Sequence, residues 1–270
     1  MAHPRLHSSL ARGFAALCLA APAAYASADE ISTDRPDFVE SSAVVGKGRF
    51  QIETSLAGER DKAGGATSRS MTTPTLLRWG VSDALELRLE TDGAVRARSD
   101  DAASGASVRT HGSSDVALGI KWHLRDGDEK TGAPAMAWLL HADIDSGSAP
   151  FRGQGVRPSL RMVAEWELPG DVSVGVMPGL MGDRSDDGRH FVAGIAAVTV
   201  SKGWSDKWRS FAELAGERLA SKRNGGSLVS VDVGATYLVN DNLQLDSALS
   251  FGATRQTPDL AWTVGVSVRF

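Results

Sequence analysis

Long segments in which every second residue is apolar recur along almost the whole chain. Between Val116 and Leu124, for example, every second residue is large and apolar, and the residues between them are small or polar. Successive side chains of a β-strand point to opposite faces, so a period of two residues predicts a strand with one apolar face. Twelve such strands are predicted, over residues 49–57, 69–79, 84–97, 113–124, 134–145, 157–168, 172–181, 189–201, 208–219, 227–239, 243–253 and 259–270.

The predicted strands are long. Most run for ten to thirteen residues, whereas strands in soluble sheets average ~5–6 and a tilted strand that crosses a membrane needs about 9–11. In a soluble β-sandwich the apolar faces would pack inward, whereas in a membrane barrel they would meet lipid and the other faces would line a polar lumen. Strand length favours the barrel, and an even number of strands places both termini on one side of the membrane.

The predicted connections alternate in length. Four are tight, at residues 80–83, 169–171, 202–207 and 240–242, and three are long and polar, at residues 58–68, 98–112 and 146–156. Bacterial barrels combine short periplasmic turns with longer outer loops. Residues 125–133 depart from this pattern, as a longer connection on the short-turn side.

Aromatic residues collect at one end of the predicted strands. Nine of the fifteen that follow residue 28 lie near the short turns: Phe50, Trp79, Trp122, Trp138, Trp166, Trp204, Trp208, Tyr237 and Phe270. Aromatic rings gather at the two interfaces of a membrane, whereas a soluble core would scatter them through strand centres. The predicted fold class is therefore all-β: a transmembrane antiparallel up-and-down barrel of about 12 strands, of the Gram-negative outer-membrane type.

The first 28 residues are typical of a secretory signal peptide. Arg5 and Arg12 precede an apolar segment, and small residues allow cleavage after Ala26 or Ala28. A lipid anchor at Cys18 is disfavoured, because the bulky Leu17 stands where a small residue is expected. The expected organisation is a signal peptide over 1–28, a periplasmic leader or short lumen plug over 29–48, and the barrel over 49–270.

Composition excludes several other classes of protein. The net charge of −4 argues against a nucleic-acid partner. The longest apolar run, Gly13–Ala26, is shorter than the ~20 residues of a membrane-spanning helix. Cys18 is the only cysteine, which leaves neither a disulfide scaffold nor a cysteine metal site.

Three motifs carry a resemblance to a known family. Residues 33–41 read TDRPDFVES, residues 48–54 read GRFQIET, and residues 74–83 read PTLLRWGVSD. The chain resembles the outer-membrane transporter family named after the meta-cleavage (MetA) pathway of phenol degradation. The resemblance implies an outer-membrane barrel that moves small, aromatic or hydrophobic solutes, and it supplies no substrate site to carry over.

The first motif contains the candidate leader residues Asp34, Arg35, Pro36 and Asp37. Thr33, Asp34 and Pro36 would supply local capping and a fixed turn before the first strand. Three interpretations stay open: a structured periplasmic leader, a short plug that pairs Asp34 and Arg35 with charges in the lumen, or a docking segment for a periplasmic partner.

Charged residues of both signs occupy the polar face of the predicted strands. The candidates for transport are Glu86, Arg88, Glu90, Lys121, His141, Asp143, Asp145, Arg161 and Glu165, and Glu53, Glu167, Asp232, Asp246 and Arg269 share their face. They would form either a ladder of cross-strand ion pairs that closes the lumen or a charged constriction that selects solutes. The two are compatible if the pairs narrow the pore.

His141, Asp143 and Asp145 are residue types that could bind a divalent metal ion. These residues alternate on one strand, which spaces their side chains about 6.6 Å apart, too far for all three to reach one ion comfortably. A polar lumen mouth explains them better, and no cofactor is implied.

Two other function classes stay as alternatives to a channel. An enzyme of the outer-membrane phospholipase type would carry a serine and a histidine facing lipid, but His123 and His141 fall on the predicted lumen face. The sequence contains no G-x-S-x-G, H-E-x-x-H or phosphate-loop motif. A structural or adhesive barrel would work through residues 98–112 and 146–156, whose small polar residues are more typical of mobile lids.

The sequence therefore predicts a passive channel or porter for small solutes rather than an enzyme. Its expected partners are outer-membrane lipid, a small-molecule solute, and the barrel-assembly machinery. That machinery would read the last strand, which ends on Phe270 with an apolar residue at every second position before it.

Overall fold

The computed structural model describes residues 30–185 and 187–270, so the predicted signal peptide lies outside the described residues. It contains fifteen β-elements and one 3-10 turn (Lys222–Asn224). The β-elements are β1 (Phe50–Ala63), β2 (Ala66–Thr72), β3 (Thr75–Gly80), β4 (Leu85–Thr91), β5 (Ala94–Asp101), β6 (Ser107–Ser113), β7 (Val116–Arg125), β8 (Ala135–Ile144), β9 (Arg157–Leu168), β10 (Val172–Arg184), β11 (His190–Gly203), β12 (Trp208–Leu219), β13 (Leu228–Asn240), β14 (Leu243–Gly252) and β15 (Leu260–Arg269). In the described part of the chain, no helix is long and apolar enough to span a membrane.

The β-elements form one closed antiparallel sheet. Consecutive strands pair, and β1 also pairs with β15, which closes the barrel. Three strands are each built from two elements in line: β2 with β3, β4 with β5, and β6 with β7. The barrel therefore has twelve strands, which confirms the predicted fold class and strand number.

The strand interruptions lie side by side. Pro74 breaks the second strand, since proline has no N–H for the ladder. Next to it, Gly93 has a φ of +66°, and an added Cβ would lie 2.6 Å from the carbonyl oxygen of Thr73. Beyond the interruptions at Pro74 and Gly93, the outer halves of the first four strands continue in the order β1–β2–β5–β6. They form a four-stranded extension of the barrel wall.

Two predicted loops are wrong. Residues 58–68 and 98–112 are mostly strand, because β1 continues to Ala63 and β5 to Asp101. Where the barrel wall extends beyond the lipid, both faces of a strand meet water. The alternation of apolar and polar residues then disappears, although the backbone hydrogen bonds between strands continue. The third predicted loop, between β8 and β9, is a loop in the structure.

The inside and outside of the barrel follow the predicted alternation. Outward positions hold exposed apolar side chains such as Leu118, Leu140 and Val264, whereas lumen positions include the fully buried Glu53, Arg78 and Lys121. At the short-turn rim, the Phe50 and Phe270 backbones exchange hydrogen bonds of 3.2 and 2.7 Å, and their ring centroids are 6.5 Å apart.

Candidate functional site

Residues 30–48, called the leader below, have no regular secondary structure. The part from Ile31 to Val45 lies inside the barrel, where its backbone contacts lumen carboxylates. At the short-turn end, Ile31 N–H donates to the Asp241 carbonyl oxygen (2.8 Å). The C-terminal end of the leader runs into β1 and crosses the end of β3 at Gly80. A Cβ added to Gly80 would overlap the Gly46 carbonyl oxygen, so a residue with a side chain would not fit there. This close crossing explains the glycine in the PTLLRWGVSD motif.

Asp34 lies at the centre of the leader's contacts. Its carboxylate accepts hydrogen bonds from Lys121 Nζ (2.6 and 2.8 Å) and Arg88 Nη1 (2.5 Å), and Arg78 Nη1 is 3.4 Å away. Burial by itself would raise the pKa of Asp34, but Arg78, Lys121 and Arg88 together hold it well below its usual range. Asp34 therefore stays ionised and fixes the leader against the β3–β4–β7 wall.

Arg78 links two barrel carboxylates to the leader backbone. Its guanidinium donates to Glu53 (2.9 Å) and to both oxygens of Glu86 (2.9 and 3.0 Å). It also donates to the carbonyl oxygens of Ser32 and Ala43, each at 2.9 Å. Arg78 was missing from the sequence-based candidates, although it lies on the lumen phase of its strand and inside a recognised motif.

Barrel carboxylates also accept hydrogen bonds from the leader's backbone N–H groups. Glu213 accepts from Phe38 N–H (2.7 Å) and Val39 N–H (2.8 Å), and Glu165 accepts from Ser42 N–H (2.6 Å). A buried segment without secondary structure must find other partners for its amides. Glu165, a predicted lumen candidate, has this role, whereas Glu213 was not singled out.

Part of the lumen wall is apolar, whereas the sequence predicts a polar lumen. The cluster consists of Val39 of the leader and Leu139, Val163, Met177, Ala197 and Ala215 of β8–β12, with Phe38 packed against it. Arg161, another predicted candidate, lies over the Phe38 ring at 5.6 Å from its centroid. The leader is therefore held by charges on one wall and by apolar packing on the other.

The TDRP residues make distinct contacts. Thr33 Oγ1 donates to the Arg35 carbonyl oxygen (2.9 Å) and accepts from Gln244 Nε2 (2.7 Å). Arg35 Nη2 donates to Thr263 Oγ1 (2.7 Å) and lies 3.4 Å from Asp246 Oδ1. The Arg35–Pro36 peptide bond is cis.

The structure does not bring His141, Asp143 and Asp145 to one point. Asp145 pairs with Arg152 in the outer loop (3.1 Å), whereas Asp143 lies opposite Arg157 in the β8–β9 register. His141 instead groups with Glu40 and Glu90, and one potential ligand atom from each lies within 4.8 Å of the others.

Arg88 Nη2 already lies 2.7 Å from Glu40 and 2.8 Å from Glu90. A second guanidinium also pairs with Glu40, since Arg161 Nη1 lies 3.1 Å from its carboxylate. The two carboxylates that His141 adjoins are thus neutralised by guanidinium groups, and this donor set suits an ion-pair network better than a metal ion.

The lumen histidines His123 and His141 contact a carbonyl and a carboxylate oxygen rather than a serine hydroxyl. His123 Nδ1 lies 2.9 Å from the Ser42 carbonyl oxygen, and His141 Nε2 lies 3.5 Å from Glu90. Among residues 30–185 and 187–270, no serine hydroxyl is hydrogen-bonded to a histidine ring.

Two large cavities occupy the ends of the lumen. The one at the short-turn end has a volume of about 900 Å³ and is bordered by the Trp204–Trp208 turn. The one at the outer end has a volume of about 700 Å³ and is lined by Phe38, Glu90 and Phe151 among others. Arg35 and Asp37 of the leader line both, so the leader lies at the junction of the two vestibules.

Solved structures share this fold. An outer-membrane channel from Pseudomonas putida F1 is 12% identical, with a TM-score of 0.57 over 85% of this chain and 98% of that chain. The KdgM porin in complex with disordered oligogalacturonate is 8% identical, with a TM-score of 0.50 over 82% and 99%. Both are channels or porins rather than enzymes, and at these identities the likeness concerns the fold.

A search among curated proteins finds no significant match. The family model described as MetA-pathway of phenol degradation, however, matches residues 33–270, from the TDRP motif to the terminal phenylalanine. The motifs, the twelve-stranded outer-membrane type of barrel and this match agree, and the chain belongs to the MetA-pathway of phenol degradation family.

Proposed function

We propose that this protein is a passive outer-membrane channel for small aromatic or hydrophobic solutes, and that its leader is a plug that gates the lumen. The observation that carries the proposal is the junction of two vestibules at Arg35 and Asp37. A solute that crosses the barrel must pass this junction, where one wall is charged and the other is apolar. An aromatic solute with one polar group suits both walls.

The family membership and the fold support this function. Of the two similar structures named above, one is described as an outer-membrane channel and the other as a porin. The predicted transport residues divide into two sets under this proposal. Glu86, Arg88, Lys121 and Glu165 would hold the leader, whereas Glu90, His141, Asp143 and Arg161 would line the path from the outer vestibule, with Asp145 at its mouth.

Export and insertion complete the proposal. Residues 1–28 would direct secretion and be cleaved near Ala26 or Ala28. The assembly machinery would recognise the last strand, in which Phe270 is exposed and pairs with the backbone of Phe50.

Single-channel recording of the refolded chain in a planar bilayer tests the transport function. We expect discrete, small currents that phenol or benzoate partly blocks, because these solutes would occupy the junction. An equal concentration of arabinose serves as the control, and it should leave the current unchanged. A barrel that shows correct heat-modifiability but stays silent at all voltages, with or without the leader, would contradict a channel.

The gate is expected to loosen as pH rises. Burial raises the pKa of Asp37 well above its ordinary value of 3.8, and the nearby Glu213 raises it further. The seated leader therefore favours the protonated carboxyl. The protonated Asp37 carboxyl stabilises the closed state fully at pH values below the ordinary pKa of an aspartate. This stabilisation is lost as pH rises through the raised pKa of Asp37. The open fraction of wild-type channels should increase with pH.

The Asp37→Asn variant should flatten this dependence and keep the channel mostly closed at high pH. Asp83→Asn, an exposed change in a short turn that lines neither vestibule, serves as the matched control and should retain the wild-type profile. An unaltered pH profile in Asp37→Asn would exclude Asp37 as the titrating group.

A further inference from the structure

Four arginines stand in one row across the outer extension of the barrel wall. In the strand register, Arg60 lies opposite Arg69, Arg69 opposite Arg98, and Arg98 opposite Arg109. The next row towards the membrane contains Gly58, Met71, Arg96 and His111 in the same order. These two rows are called the basic patch below.

The basic patch faces outward, away from the lumen. Gly58 lies opposite Trp262, and Arg60 opposite Leu260. Trp262 belongs to the exposed apolar face of β15 together with Val264. Arg60 and Trp262 thus share the face that meets lipid further down the wall.

The patch carries more positive charge than its protein neighbours neutralise. Asp100 lies 3.2 Å from Arg69 and 2.8 Å from Arg98. Within the described chain, the side chains of Arg60, Arg96 and Arg109 make no hydrogen bond or ion pair, and all three are exposed. Like charges directly opposite on neighbouring strands, with Cβ atoms about 4.5–5.5 Å apart, destabilise a sheet. A bound anion would reduce this repulsion between the arginines.

A groove of about 650 Å³ runs between these side chains. The basic groups border it together with Met71, Leu260 and Trp262, so it combines an apolar side with cationic groups. Arg60 is two residues beyond Gly58 and the aromatic Trp262 opposite it, or about 6.6 Å further along the strand. The row of Arg60 therefore lies just outside the level at which interfacial aromatic rings mark the edge of the hydrocarbon, and Arg96, in the row of Gly58, lies at that level.

We propose that the basic patch binds the phosphate groups of a phosphorylated glycolipid in the outer leaflet. The guanidinium forks of Arg60, Arg96 and Arg109 would hold phosphate, for which their planar geometry is suited. An acyl chain of the same lipid would lie along Met71 and Trp262. This role is separate from transport and does not depend on the gate.

The test is binding of diphosphoryl lipid A to the full refolded barrel in detergent. We expect the Arg60→Gln/Arg96→Gln/Arg109→Gln variant to bind at least tenfold more weakly than wild type. Lys222→Gln/Arg223→Gln/Arg255→Gln removes the same charge from exposed outer loops and should bind like wild type. Heat-modifiability verifies that each variant is folded, and the single Arg109→Gln variant replaces the triple one if it is not.

Two probes separate the lipid from other sources of phosphate. Dephosphorylated lipid A should bind weakly, and inorganic phosphate should compete only at far higher concentration than lipid A. Equal binding of the dephosphorylated lipid, equal competition by free phosphate, or unchanged lipid A binding by the triple variant would each overturn the proposal.

Discussion

Removal of residues 31–45 is expected to raise the single-channel conductance several-fold. The leader lies where the vestibules of about 900 and 700 Å³ meet, and its loss would join them into one aqueous path. About eight strands leave room only for side chains and 16–18 leave an open channel. In a twelve-stranded barrel the content of the lumen therefore decides whether ions pass.

A graded variant distinguishes a plug from a general disturbance of the barrel. Asp34→Asn keeps the leader but removes the charge that Lys121, Arg88 and Arg78 surround. We expect frequent brief openings that reach the current of the truncated chain. If the truncated barrel folds and its current equals that of wild type, the leader does not gate the lumen.

Replacing Val233 by arginine is expected to destabilise the inserted barrel by about 2–4 kcal/mol, the cost of a cation at the lipid midplane. Val233 is 41% exposed on the outward face, between Ala212 and Leu249 of the neighbouring strands. Urea unfolding from lipid vesicles measures the free energy, and heat-modifiability reports the folded yield.

Thr236→Arg is the matched control on the same strand. Thr236 points to the lumen, lines the cavity at the short-turn end and lies opposite Asp246 of β14. Thr236 also lies opposite Arg209 of β12. A cation there meets water, one carboxylate and one guanidinium but no hydrocarbon, so the loss of stability should be smaller than in Val233→Arg. Equal losses in the two variants would mean that the inward and outward faces of β13 are assigned the wrong way round.

The membrane-spanning part of the fold could be predicted because lipid imposes a strict pattern. Leu118 and Val264 must meet hydrocarbon, while Lys121 and Glu53 on the alternate phase must not, so the strands and their faces appear directly in the sequence. Where the wall leaves the lipid this constraint ends. Arg60 and Arg98 lie on strands, although the polar sequence around each of them predicts a loop.

The candidate site could be predicted only in part. The phase of Glu86, Arg88 and Lys121 predicted that they face the lumen. For the TDRP motif, contact of Asp34 and Arg35 with lumen charges was one of three interpretations that the sequence left open. The partners could not be assigned, because the leader has no repeating pattern that fixes its path. The hydrogen bond from Phe38 N–H to Glu213 and the apolar wall beside Val39 join residues far apart in sequence.

The leader's contacts also determine when it can be ordered during biogenesis. Its polar partners include Glu53 on β1, Glu213 on β12 and Asp246 on β14. These strands come together only after β1 has paired with β15. The leader, although it precedes every strand in the sequence, therefore acquires its binding site only with the final step of barrel closure.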